Sequence, residues 1–201
     1  MSPKGHGICA CALVDYDNVR LQQKEYSPVD AAAKLLAIRR VLLQHCMSLS
    51  VIPDELHIRL YGGWLNERGH YTQRAEWVLS QINTVRGRVN GVRVVPDVVI
   101  AIAECGSKPL FGLVRTIRSL RAQKMVDTMI AVDAIHFADG RSGPLLIVSD
   151  DDDIVPPALA ARARWEPVVL FRRRGPGQGL NDGTCESQGV SLLALPEEFQ
   201  R

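Results

Sequence analysis

The sequence contains no run of about 18 uninterrupted apolar residues, the length needed to cross a bilayer, so no membrane-spanning role is expected. Its first residues, Met1-Ser2-Pro3-Lys4-Gly5-His6-Gly7, lack the layout of a signal peptide, because the apolar run that follows is short and ends in Asp15. A cytoplasmic location is the expectation. Aromatic residues are scarce at 5%, while 46% of the chain is apolar, a balance typical of a soluble globular domain. The five cysteines, Cys9, Cys11, Cys46, Cys105 and Cys185, are odd in number and fall at no zinc-ligand spacing, so a structural role is expected over a redox or metal one. Cys9 and Cys11 lie two apart on an expected strand and read as small core residues on one face. His6, His45, His57, His70 and His136 show no ligand spacing and read as structural. The net charge of +2 is near balance, so any nucleic-acid surface must arise from local clustering. No Ser–His–Asp arrangement is evident. The segment Gly175-Pro176-Gly177-Gln178-Gly179 lacks the Lys-Ser/Thr pair and following helix of a phosphate loop.

What is present is acid at the ends of apolar runs. Leu145-Leu146-Ile147-Val148-Ser149 opens onto Asp150-Asp151-Asp152-Asp153, and the apolar run 8–14 opens onto Asp15-Tyr16-Asp17-Asn18. Adjacent like charges repel, so a folded protein that gathers them at a strand end usually compensates them with a bound cation. In a parallel α/β sheet the groups just past the carboxyl ends of strands share a crevice. Two acidic strand ends in one crevice suit a magnesium or manganese site.

The pattern along the chain alternates. Strands are expected at 8–14, 57–61, 92–95 with 98–103 (interrupted by Pro96), 145–148 and 168–171. Helices are expected at 29–46 behind a Ser27-Pro28 start, at 72–85, at 125–137 and at 156–164. Residues 110–121 fit strand or helix equally well. The glycine-rich stretch 172–189 reads as a flexible basic segment, with 190–195 as an edge strand. Strands alternating with helices imply a parallel sheet with right-handed crossovers, and 201 residues suit a single domain.

Four segments taken in order carry a family resemblance. They are the strand ending Asp15-Tyr16-Asp17-Asn18, then Lys124-Met125-Val126-Asp127, then Ala131-Val132-Asp133-Ala134, then Ser149-x-Asp151-x-Asp153-Ile154-x-Pro156. Together with Arg59-Leu60-Tyr61-Gly62-Gly63-Trp64, they resemble the NYN family of PIN-like ribonucleases over roughly residues 8–171. The resemblance implies a Rossmann-like three-layer α/β sandwich with a central, mostly parallel sheet, and cleavage of RNA that depends on Mg2+ or Mn2+. Carried over residue by residue, Asp15, Asp127 and Asp151 would be the metal-facing carboxylates and Asp153 a fourth acid. Asn18 would orient Asp15 or a metal-bound water, and Asp133 would stand behind the site. The family usually has a small residue where this chain has Asp150 and Asp152, which leaves open which of the four neighbouring acids points inward.

Each residue also has a plainer reading. Asp127 and Asp153 suit the start of a helix, where the dipole favours acids, and Asp150 and Asp152 suit capping or solvation. Asn18 is a turn former. Arg115, Arg118, Arg121 and Lys124 recur every third residue and, if helical, sweep one face that could track an RNA backbone. Arg172, Arg173 and Arg174 suit either a flexible arm on RNA or a solubilising run. Trp64 and Tyr71 suit base stacking or, more simply, core and turn packing.

Two other functions compete. Asp15-x-Asp17 at a strand end also resembles the first motif of haloacid-dehalogenase-like phosphatases, with Asp15 as nucleophile and Asp17 as acid/base. The fold would also serve a non-cleaving module that binds nucleic acid or protein. Whether the chain pairs with itself or with a regulatory protein stays open.

Overall fold

The computed structural model describes residues 7–22, 25–66, 68–100, 114–117, 120–123, 126–140, 143–164, 167–179 and 181–199. Strand β1 (Cys9–Asp15) is apolar up to its last residue and buried from Ala10 onward. That continuity reflects a strand covered on both faces. Helix α1 (Pro28–Ser48) starts as the sequence requires: Ser27 Oγ accepts from the Asp30 N–H at 3.3 Å, and Pro28 holds the first helical position. Strand β2 (Glu55–Tyr61) begins two residues before the expected start. Helix α2 (Gln73–Gln81) is capped by Thr72 Oγ1, which accepts from the Ala75 N–H at 3.2 Å.

A short hairpin follows that the sequence pattern had not suggested. Strand β3 (Gly87–Val89) pairs antiparallel with β4 (Val92–Val98) across Asn90-Gly91. Both turn residues have positive φ, 49° and 89°, the conformation that an Asn-Gly two-residue hairpin requires. The expected break at Pro96 does not occur, and β4 runs through it while parallel to β2. Strand β3 pairs only with Val92–Val94, so Pro96 lies past its end with one side of β4 unpaired among the described residues, a position where a missing N–H is tolerated.

The stretch that fitted helix or strand equally well contains an antiparallel hairpin, β5 (Val114–Ile117) and β6 (Leu120–Gln123). Its register sets Arg115 opposite Ala122 and Arg121 opposite Thr116. The three-residue spacing of the arginines therefore makes no helical stripe. Arg118 and Lys124 lie outside the described residues.

The remaining elements are α3 (Val126–Gly140), β7 (Leu145–Val148), α4 (Val155–Arg162), β8 (Val168–Arg172), α5 (Asp182–Ser187) and β9 (Ser191–Ala194). The stretch 172–189, expected to be a flexible arm, contains α5 and two buried charged residues, Arg172 and Asp182. Their ion pair at 3.1 Å ties the helix to the end of β8, a tertiary link that its glycine-rich composition conceals.

The seven-stranded sheet has the order β3-β4-β2-β1-β7-β8-β9, and every neighbouring pair except β3–β4 is parallel. The chain moves from β1 outward through β2 to β4, then returns to β1's other side at β7 and moves outward the opposite way. With right-handed crossovers, this reversal puts helices on both faces. Ala10, Ala12 and Val14 of β1 join the apolar cluster beneath α1 and α2, while Cys11 and Leu13 join the one beneath α3 and α4. Strands β1 and β7 therefore border the point where strand order reverses, where open α/β sheets form a crevice past their carboxyl ends. Among the described residues no helix is long and apolar enough to cross a membrane.

Candidate functional site

Asp15 is the last residue of β1 and is 1% exposed. The chain turns immediately after it, with the Val19 N–H donating to the Asp15 carbonyl at 3.0 Å. That turn brings Asn18 back over the carboxylate: its backbone N–H donates to Oδ1 at 3.2 Å and its Nδ2 to Oδ2 at 2.6 Å. Ser149 Oγ, from the first residue after β7, donates to the same Oδ2 at 2.9 Å. All three donors are neutral. Burial pushes the Asp15 carboxyl above its ordinary range, and these hydrogen bonds offset the rise only in part.

The acidic run sorts itself by parity. Asp150 accepts from Arg173 through the backbone N–H at 3.2 Å, Nε at 3.0 Å and Nη2 at 2.7 Å. Asp152 accepts from Arg172 and, at 2.9 Å, from Arg174, and these two guanidiniums hold its carboxyl below the usual range. For these two acids the compensating charge comes from the three arginines at and just past the end of β8, not from the metal ion that the acidic run led one to expect. Asp151 instead caps the following 3-10 turn (Asp152–Ile154), accepting from the Asp153 N–H at 3.1 Å. Its own N–H donates to Ser149 Oγ at 3.2 Å. Asp153 is exposed at that turn.

Asp127 stands in the first turn of α3 and is half-buried. Asp133, six residues on, accepts from Tyr61 Oη at 2.5 Å and Arg59 Nη2 at 3.0 Å, near the carboxyl end of β2. A helix rises 1.5 Å per residue, so Asp127 lies about 9 Å farther toward the edge where β1 and β7 end. That edge bears a cleft of about 380 Å3 lined by Asn18, Asp150, Asp151, Asp152, Arg173 and Arg174. Asp133 does not line that cleft and belongs to a buried cluster with Arg59 and Tyr61, the latter opposite Asp15 in strand register.

Several expectations change here. Arg172 is 1% exposed and ion-paired with Asp182 and Asp152, so it presents no surface to RNA. Arg173 and Arg174 form a wall of the cleft rather than a free arm. Trp64 is buried, with its Nε1–H donating to the Leu60 carbonyl at 3.1 Å, so it packs in the core and stacks on no base. Asp17 accepts from the Gly63 N–H at 2.8 Å and pairs with Arg74 at 2.7 Å. It is thus engaged in joining the exits of β1 and β2, which counts against the acid/base role of the phosphatase reading. The approach is close: a Cβ on Gly62 would lie 3.1 Å from the Asp17 carboxylate and 3.0 Å from the Trp64 ring. Ser149 was not among the candidate site residues, although its place between an apolar strand and the acids was a usable signal.

No protein-family model, curated protein or solved structure matches this chain.

Proposed function

We propose that this chain is a divalent-metal-dependent ribonuclease of PIN-like architecture, hydrolysing RNA phosphodiester bonds at the crevice between β1 and β7. The observation that carries this reading is the environment of Asp15: a buried carboxylate at a strand end, met by three neutral donors and, among the described residues, by no guanidinium. The neighbouring acids that do have guanidinium partners, Asp150 and Asp152, are the ones least suited to the family pattern.

Asp15, Asp127 and Asp151 would supply the carboxylate oxygens that magnesium or manganese takes, the ion keeping several of its waters. In the structure these three carboxylates are not gathered within 4.8 Å of one another, and neither Asp15 nor Asp127 lines the cleft, so binding would draw the side chains together. A bound ion of this kind supplies an acidified water and neutralises charge developing on the phosphate. The chain's own part is positional. Asn18 and Ser149 fix both oxygens of Asp15, and Ser149 joins that carboxylate to the backbone of Asp151. Asp153 stands at the solvent side of the same turn. Arg173 and Arg174 line the cleft, where their outer edges can meet the phosphates flanking the scissile one.

The test is cleavage of labelled structured and single-stranded RNA with manganese or with chelator. Cleavage should require the metal and fall by more than about 100-fold in Asp15→Asn and Asp151→Asn, since even indirect supports of a metal are worth 10- to 100-fold. Metal-dependent cleavage that survives in either variant would assign the chemistry elsewhere. RNA binding that persists without cleavage and is indifferent to chelator would favour the non-cleaving module.

A further inference from the structure

The amino edge of the same sheet holds a second constellation, with a different chemistry. Parallel pairing of β1 with β2 sets Cys9 opposite Glu55, and His57 follows two residues along β2 on the same face. One ligand atom from each of these half-buried residues lies within 4.8 Å of the others. His57 Nε2 is 2.9 Å from Glu55 Oε2. The other Glu55 oxygen accepts from Arg93 Nη2 at 2.8 Å, and Arg93 sits opposite Glu55 on the next strand, β4. The Cys9 thiol currently donates to the Ala10 carbonyl at 3.7 Å.

We propose that Cys9, Glu55 and His57 form a zinc-binding site at the amino edge of the sheet, with water in the fourth position. A thiolate, an imidazole and one carboxylate oxygen are the donors that zinc selects over magnesium. Zinc bonds of about 2.0–2.3 Å place tetrahedral ligand atoms roughly 3.3–3.6 Å apart. The three groups reach that spacing by side-chain adjustment, with no change of strand register. Thiolate and carboxylate together balance a divalent charge, and the thiol proton leaves to solvent on binding. Arg93 holds the distal carboxylate oxygen and so orients the proximal one, the supporting role that outer partners play around zinc. Cys9 is six residues from Asp15 along β1, about 20 Å, so this site is separate from the carboxyl-edge cleft and does not depend on its function. Its effect is to clamp β1 to β2 where the sheet begins.

Cobalt titration of chelator-stripped protein tests the assignment, because a Co2+–thiolate bond gives a charge-transfer band in the near ultraviolet and tetrahedral cobalt gives intense visible bands. One equivalent should develop both, and zinc should abolish them while magnesium does not. Cys9→Ser should remove the charge-transfer band. His57→Asn should weaken cobalt binding by more than about 10-fold, the lower bound set by losses of outer-sphere partners such as Arg93. In Asp151→Asn the charge-transfer band should develop with the wild-type midpoint, because cobalt held by carboxylates alone gives no thiolate band, so failure of the nuclease reading and failure of the zinc site are read separately. Absence of the bands in the wild type overturns the proposal, as does their persistence in Cys9→Ser. Should Cys9→Ser fail to fold, the His57→Asn titration decides, and an unchanged affinity there overturns the proposal equally.

Discussion

Ser149 Oγ donates to Asp15 Oδ2 at 2.9 Å across 134 residues of sequence, and the same oxygen accepts the Asp151 N–H at 3.2 Å. One hydroxyl thus couples the acidic ends of two neighbouring parallel strands. It can do so because β1 and β7 run in register, with Val14 opposite Val148, so the residues following each are neighbours as well. Among the described residues the hydrogen bonds to the Asp15 carboxylate come from neutral groups, and the consequences of that are measurable.

The first is a pH dependence. A carboxyl whose folded pKa is raised above its ordinary 3.8 binds its proton more tightly in the folded state than in the unfolded one. Its favourable contribution is complete below 3.8 and is lost as pH rises through the folded value. In chelator, wild-type stability relative to Asp15→Asn should therefore decline from acid toward neutral pH. Thermal melts across that interval check the sign; a difference that is flat or grows with pH would show that burial does not penalise the charged carboxylate.

The second separates neighbouring acids. If manganese binds through Asp15, Asp127 and Asp151, it stabilises the fold by mass action, about 2.7 kcal/mol at a hundred times its Kd. Asp151→Asn should lose most of that increment. Asp150→Asn should keep it while costing about 1–3 kcal/mol of baseline stability, because Arg173 loses its charge-assisted partner. Melting curves of both variants, with manganese and with chelator, distinguish the two roles.

A third prediction concerns Arg172. Its pairing with Asp182 is buried on both sides, so Arg172→Ala leaves an uncompensated carboxylate and should cost about 3–5 kcal/mol. Denaturant titration gives the value. A loss under 1 kcal/mol would mean that α5 is not secured by this pair.

The RNA grip is checked through salt. Arg173→Ala with Arg174→Ala should lower the slope of log affinity against log salt by about 0.7 for each phosphate no longer neutralised, alike for unrelated single-stranded RNAs. The matching change at Arg115 and Arg121, on the hairpin before α3, is the comparison. A slope reduced only there moves the grip from the cleft wall to the hairpin.

The central strands, helix α1 and the acidic strand ends were legible in the sequence because local rules govern them. The apolar runs are unbroken, Ser27-Pro28 is a strong helix start, Asp15 closes β1 and Asp151 lies three residues past β7. The Asn90-Gly91 hairpin carried an equally local signal that the flanking valines masked by suggesting a single strand. Other features depend on pairings that no local pattern encodes. Helix α5 looks like a loop by composition and is fastened by Arg172 to Asp182. Pro96 looks like a strand break, yet it falls where the neighbouring strand has already ended. Most of all, the sorting of four consecutive acids needed knowledge of what lies across from them at the end of β8.

That sorting changes what an approaching polyanion encounters. Four adjacent carboxylates by themselves would repel an RNA chain well before the two touch, at separations near the Debye length of about 8 Å in physiological salt. With Asp150 and Asp152 each bound to guanidinium groups, the field of the loop is set by Asp151 and the exposed Asp153 rather than by four carboxylates. A polyanion approaching this loop is therefore repelled less than four consecutive acids in the sequence suggest.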